Sequence, residues 1–316
     1  MPTHPIHHIT AICSNAQACL DFYVGVLGLR LVKRTINFDD PGTYHFYFGD
    51  ETGSPGTILT FFPWDSMSSG RPGTGQTIAT AYAVPAGSLE MWQQRLSSAG
   101  VSADPIATRF GERVLALRDG DGLVIELIET GWAAGLPAWA NGDVPADMAV
   151  RAFHSSTISV DGYERTARVL REQFGYAEGA SANDRFRFQT GQSPIAGVID
   201  LLCQPDRRRG AMGTGTIHHI AFRAADDGEH LALRGALVQS GLNVTPVLDR
   251  TYFKSIYFRE PGGVIFEVAT DGPGMLIDES RETLGESLRL PSWLEGNRQQ
   301  IESILPTIHL PGKKLQ

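Results

Sequence analysis

Two histidine pairs and one acid stand out for the chemistry they could share. His7–His8 and His218–His219 each lie in the string IHHI, once near the start of the chain and once well into its second half, and Glu267 interrupts the apolar run VIFEV. Burying an unpaired carboxylate among aliphatic side chains is costly. The cost falls when the carboxylate and two imidazoles share a cation. Two imidazole nitrogens and one carboxylate oxygen on one side of an ion leave its other side open, an arrangement that suits non-haem Fe(II), and Mn(II) accepts the same ligands. Taken singly, each of the nine histidines reads as an ordinary packing residue. Repetition of the string sets His8 and His219 apart.

For these residues to meet, distant elements must be placed alike, and the chain repeats one order of elements four times. The first unit opens with IHHITAI. A helix capped at Asn15 follows, with Cys19, Phe22, Tyr23, Val26 and Leu27 at three- and four-residue intervals until Gly28 ends it, and then the strands RLVKRTINF, TYHFYFG and GTILTFFPW. The second unit runs TIATAYAV, a helix striped by Leu89, Trp92 and Leu96, RVLALRD and LVIELIE. The third runs FHSSTISV, a helix with Tyr163, Ala167, Leu170 and Phe174, DRFRFQT and AGVIDLL. The fourth runs IHHIAFRA, a helix with Leu233, Ala236 and Leu237, YFKSIYFRE and VIFEVAT.

When the four units are aligned on the second histidine of HHI, the matched first-strand positions are His8, Ala79, Ser155 and His219. The matched last-strand positions are Thr60, Glu126, Asp200 and Glu267, at offsets of 52, 47, 45 and 48 residues. So narrow a spread predicts an α+β protein of four βαβββ modules paired into two domains, each a cupped mixed sheet with outer helices. The expected divisions are 1–135, a linker at 136–150 overlapping GWAAGLPAWANGDVPADM, 151–275, and a packing tail at 276–316 with an amphipathic helix near 293–304. Glu126 and Asp200 lack a histidine at the matched first-strand positions of their modules. They read either as relics of duplicated sites or as acids bound by a backbone donor or a neighbouring arginine.

Composition narrows the function classes. The 316 residues are 42% apolar and 20% charged, with 27 Lys plus Arg against 35 Asp plus Glu, a net charge of -8. Such a balance offers no attraction to nucleic acid or anionic lipid, and DRRRG at 206–210 reads as a solvated loop. Cys13, Cys19 and Cys203 have no C-x-x-C spacing and read as reduced thiols. Neither a leader nor a run of about 20 apolar residues is evident, so a cytoplasmic protein is expected. The tail and free sheet edges allow self-association into a homo-oligomer, and the basic end LPGKKLQ is expected to face solvent.

The IHHIT opening, FYVGVLGLRLVKRTINFDDPGTYHFYFGDETGSPG, the second IHHIAFRA, RTYFKSIYFREPGGVIFEVATDGPG and LPSWLE together resemble the ring-cleaving dioxygenases of the vicinal oxygen chelate superfamily, in particular its hydroquinone-cleaving group. The likeness covers residues 5–310 and implies glyoxalase-like domains. It implies iron ligands at His8, His219 and Glu267, the three that spacing selects. It further implies that His7, His218, Arg250 and Tyr257 line the pocket, with His218 first among them as acid–base and Arg250 orienting an oxyanion. Strict strand alternation would turn His7 away from His8 and His218 away from His219, so a bulge or strand end is needed if both members of a pair serve one site. Tyr44, Phe46, Phe253 and Phe258 are candidate wall residues, of which alternation admits only part. The implied reaction is extradiol-type cleavage of a small aromatic diol with O2. A glyoxalase-like lyase or isomerase is one alternative, disfavoured by Thr60 in place of a further carboxylate, and a non-catalytic aromatic-binding or resistance protein is another.

Overall fold

The structure, a computed structural model, describes residues 2–140, 142–191 and 194–310; LPGKKLQ beyond Leu310 falls outside these. The first module comprises β1 (Ile6–Cys13), α1 (Ala16–Leu20), β2 (Arg30–Asn37), β3 (Asp40–Gly49) and β4 (Ile58–Pro63). The second comprises β5 (Gln76–Pro85), α2 (Leu89–Ser98), β6 (Ala107–Arg109), β7 (Glu112–Arg118) and β8 (Val124–Thr130). The third holds β9 (Ala152–Val160), α3 (Glu164–Glu172), β10 (Ala177–Ala182), β11 (Arg185–Gln189) and β12 (Val198–Cys203). In the fourth are β13 (Thr216–Ala224), α4 (Asp227–Gln239), β14 (Leu248–Asp249), β15 (Phe253–Arg259) and β16 (Ile265–Pro273). The tail contributes α5 (Arg298–Ile304), whose Ile301 is buried.

Local chemistry sets the helices. Asn15 Oδ1 accepts from Ala18 N, and Asp226 Oδ1 accepts from Glu229 N, satisfying donors that the first turn leaves free. The helix begun at α1 continues as a π-type segment, Asp21–Val26. Gly28 then turns the chain with φ +71°, where a Cβ would also collide with Val144. The α2 stripe buries Leu89, Trp92 and Leu96 completely; each aliphatic side chain so buried stabilises the packing by about 1.5–3 kcal/mol.

Within every module the first strand lies parallel to the last, and one register recurs. Thr10 pairs with Thr60, Ala81 with Glu126, Thr157 with Asp200 and Ala221 with Glu267. The first-strand partner is in each case two residues past His8 or its equivalents Ala79, Ser155 and His219. Two eight-stranded sheets result, in the orders β14-β15-β16-β13-β1-β4-β3-β2 and β10-β11-β12-β9-β5-β8-β7-β6. The sheets therefore do not follow the sequential halves 1–135 and 151–275. The first module joins the fourth through antiparallel β1–β13, and the second joins the third through β5–β9. Between modules the chain changes sheets along two segments that pair with each other, Ser69 with Thr214, Arg71 with Ala211 and Thr74 with Arg209. A Cβ at Gly73 would sit 2.3 Å from Arg208 O, so this close crossing requires glycine.

Candidate metal centre

The β1–β13 seam brings the two IHHI strings together. Its register slips twice: Ile6 pairs with Phe222 and His8 with Ala221, leaving His7 extra, while Thr10 pairs with His219 and Ala11 with Ile217, leaving His218 extra. Two pseudo-symmetric bulges thus supply what strict alternation forbids. His7 and His218 each turn back on their neighbours, with His7 Nδ1 2.9 Å from His8 Nδ1 and His218 Nδ1 2.8 Å from His219 Nδ1. The outward nitrogen of each candidate ligand is thereby engaged, which fixes ring orientation and tautomer.

His8, His219 and Glu267 are all buried, and their ligand atoms lie within 4.8 Å of one another. Glu267 Oε2 stands 3.3 Å from His8 Nε2 and 2.8 Å from His219 Nε2. Among the described residues neither His219 Nε2 nor Glu267 Oε2 has a hydrogen-bond partner, although both are shut off from solvent. Orphaned polar atoms aimed at one point are what a bound cation would satisfy. The other carboxylate oxygen, Oε1, accepts a 2.5 Å hydrogen bond from Ser255 Oγ. Burial would raise the Glu267 pKa, but the two imidazoles outweigh it and hold the carboxyl well below the ordinary range. Burial lowers His219, and it pulls His218 down to about 3, so His218 is neutral near pH 7.

A cavity of about 490 Å³ opens over the triad, lined by His8, Thr10, His45, Tyr47, Phe62, His218, His219, Arg250, Phe253, Tyr257 and Ile265, with Asn37, Phe38, Asp39, Asp40 and Trp64 at the β2–β3 side. Tyr257 stands directly across from Glu267 in the β15–β16 ladder. Burial and the Glu267 charge raise its pKa. The Arg250 guanidinium lies 5.5 Å from the Tyr257 ring centroid and pairs with Asp39 at 3.0 Å, not with Asp249. Next to it, Thr251 holds φ +68°, strained for a β-branched residue. Of the expected wall residues, Phe253 faces the cavity, whereas Tyr44, Phe46 and Phe258 pack in the hydrophobic core. His7 sits behind His8 and Phe253, outside the cavity lining.

Sequence reasoning passed over Ser255 and His45. The register explains both. Tyr47 faces Thr60 as Tyr257 faces Glu267, so His45 is the counterpart of Ser255. His45 Nε2 lies 2.9 Å from Thr60 Oγ1, whose hydroxyl donates to Thr10 Oγ1 at 2.8 Å. Tyr47 OH is 3.0 Å from His45 Nδ1. The position that could carry a fourth ligand is thus closed by a hydroxyl–imidazole chain.

The second sheet repeats the register, and among its described residues no such triad occurs. Asp200 is bound by Arg187 and Arg185, Glu126 by Arg109, and Glu112 bridges Arg187 and His154. Arg185 and Arg187 occupy the places of Ser255 and Tyr257. Guanidinium groups neutralise the acids in this cup.

Paired βαβββ modules around a buried His–His–Glu triad define a metal-dependent enzyme. Comparison with known proteins identifies its kin. Residues 5–127 match the Glyoxalase/Bleomycin resistance protein/Dioxygenase superfamily. The chain is 46% identical over 305 residues to the Bacillus subtilis protein named "Putative ring-cleaving dioxygenase MhqO", covering 96% of each. It is 36% identical over 304 residues to the chlorohydroquinone/hydroquinone 1,2-dioxygenase of Sphingobium indicum, covering 94% of each. A crystal structure of a "putative dioxygenase" from Bacillus subtilis superposes with a TM-score of 0.94 at 44% identity, covering 99% of each chain. The chain belongs to the Glyoxalase/Bleomycin resistance protein/Dioxygenase superfamily, the vicinal oxygen chelate proteins, and with its triad it is a metal-dependent dioxygenase.

Proposed function

We propose that the protein is an Fe(II)-dependent extradiol-type dioxygenase that opens the ring of hydroquinones or related diphenols in the cytoplasm. The observation that carries this reading is the set of converging, unpartnered ligand atoms beneath an aromatic-lined cavity. The hydroquinone 1,2-dioxygenase relative supports the substrate class. His8, His219 and Glu267 would hold Fe(II), and Mn(II) fits the same donors. When bound, the ion supplies Lewis acidity that acidifies a phenol and the redox chemistry that dioxygen requires. In the net reaction one ring C–C bond breaks and both oxygen atoms enter a ring-opened acid.

The remaining residues follow from hydrogen-bond directions. A neutral His219 that offers Nε2 to a cation carries its proton on Nδ1 and donates it to His218 Nδ1. His218 then bears its own proton on Nε2. Held neutral by burial on the cavity wall, it offers that N–H as a hydrogen-bond donor to a developing oxyanion. Arg250, braced by Asp39, sets fixed N–H donors beside Tyr257 for a ring oxygen. Among the described residues no helix is long and apolar enough to cross a membrane.

Anaerobic loading with Fe(II), then assays of oxygen uptake and product with hydroquinone, catechol and the methylglyoxal–glutathione adduct, tests the proposal. Stoichiometric oxygen uptake with an acyclic product from a diphenol is expected. Isomerisation of the adduct without oxygen uptake, and no diphenol cleavage, would replace it with the isomerase reading.

A further inference from the structure

We propose that the cavity is built for diphenols carrying a bulky apolar substituent, a branched alkyl group or a second ring, and that Trp64 and Phe38 select it. The inference rests on the diphenol reading above and narrows its substrate class. A volume of about 490 Å³ lies within the roughly 300–1,000 Å³ that encloses drug-sized ligands, and a bare dihydroxybenzene fills a small part of it.

The lining of the surplus space decides what fills it. Polar groups that could act on the ring converge near the triad: His218, Thr10, Tyr257 and Arg250. From there an aromatic wall runs outward. Phe62 packs on His45 at 4.3 Å and on His218 at 6.0 Å between ring centroids, and Trp64 continues the wall at 5.1 Å from Phe62. Phe38, on the β2–β3 turn, leans on Trp293 of the tail at 5.7 Å. The single polar atom of Trp64 is already satisfied, because Nε1 donates to Asp40 Oδ2 at 2.8 Å. Thr43 Oγ1 donates to the same oxygen at 2.7 Å and holds the carboxylate in place. The indole therefore stands in a fixed orientation and offers only apolar surface to a ligand. The one arginine of the lining, Arg250, is paired to Asp39, and the Asp40 carboxylate is held by the neutral donors Trp64 and Thr43. An anionic substituent would face the Asp39 and Asp40 carboxylates and, among the described lining residues, no arginine or lysine that is not already paired, whereas a hydrocarbon would cover rings now exposed to water.

Each methylene moved from water onto such a wall is worth about fourfold in kcat/KM. With the Fe(II)-loaded enzyme, kcat/KM is expected to rise at least about tenfold from hydroquinone to tert-butylhydroquinone and to phenylhydroquinone. Trp64→Ala should reduce both ratios to within about threefold of unity, circular dichroism showing the fold retained. A turnover-independent arm uses equilibrium dialysis of the metal-free protein: 4-phenylphenol should bind at least about tenfold tighter than phenol, with the preference lost in Trp64→Ala. Cleavage of hydroquinone with no gain from either substituent, or ratios unchanged in Trp64→Ala, overturns this inference and leaves the diphenol reading intact. Failure to cleave any diphenol overturns that reading and this inference with it.

Discussion

Replacing Ser255 with alanine tests whether the Glu267 carboxylate is held in place for a metal. Both side chains are fully buried, and the Ser255 hydroxyl gives Oε1 its hydrogen bond while Oε2 faces the two imidazoles. A hydrogen bond to a charged group is worth about 1.5–3 kcal/mol. Converted at about 1.4 kcal/mol per tenfold, this agrees with the roughly 10–100-fold loss of metal affinity that follows removal of a ligand's outer partner. Ser255→Ala should therefore weaken Mn(II) and Fe(II) binding by about 10–100-fold while far-UV circular dichroism stays unchanged. Ser255→Thr keeps the hydroxyl and should recover most of the affinity. The readout is anaerobic competition against a chelator of known affinity, which reports binding without turnover. Wild-type affinity in Ser255→Ala would show that the short hydrogen bond has no bearing on metal binding.

Three further outcomes follow from the same structure. His218→Ala should keep the metal within about tenfold while kcat falls about a hundred- to a thousand-fold; loss of metal with normal turnover per bound ion would show the residue to be only a brace. Lys33 and Glu279 are both fully buried and 2.5 Å apart, with Asp278 on the same ammonium and Arg289 at 3.5 Å from Glu279, so this cluster ties the tail to β2. Lys33→Met leaves a buried carboxylate short of its closest cation and should cost about 3–5 kcal/mol in urea unfolding, with Lys33→Met/Glu279→Gln recovering much of the loss; a cost under about 1 kcal/mol contradicts the argument. Burial raises the Glu112 pKa, but bonds from His154 and Arg187 outweigh it and hold the carboxyl at about 2, below its ordinary 4.5. The unfolded chain thus takes up this proton first on acidification, so the stabilisation is present above about pH 4.5 and is lost as pH falls toward 2. Glu112→Gln should lose less stability than wild type between pH 5 and 3, and equal losses would remove Glu112 from the account.

Strand-level order was legible because periodicity and turn chemistry are local. The alignment of the four units proved legible too: spacing from first to last strand placed Thr60, Glu126, Asp200 and Glu267 in one common register. Sheet partnership was not legible. Nothing local in β1 specifies β13 over β5, since the β1–β13 and β5–β9 seams each carry two register slips, and the crossing at Gly73 is set by a contact with a segment remote in sequence. The bulges mattered most for the site. They follow from pairing across the seam, so His7 and His218 could be placed against the Nδ1 atoms of His8 and His219 only once the partner strand was known. Ser255 and His45 escaped notice for a related reason: a serine or a lone histidine two residues from a tyrosine carries no signal until the ladder shows what stands across from it. Glu126 and Asp200 posed the opposite problem, acids that look like ligands but whose Arg109, Arg185 and Arg187 partners come from neighbouring strands.

The central claim is that one ion joins the first and fourth modules through His8 Nε2, His219 Nε2 and Glu267 Oε2. Anomalous diffraction from crystals grown anaerobically with Fe(II) measures this directly. One peak per chain is expected, with those three atoms as its only protein ligands and open coordination positions facing the cavity. A peak elsewhere, or an ion that leaves Glu267 uncoordinated, would contradict it.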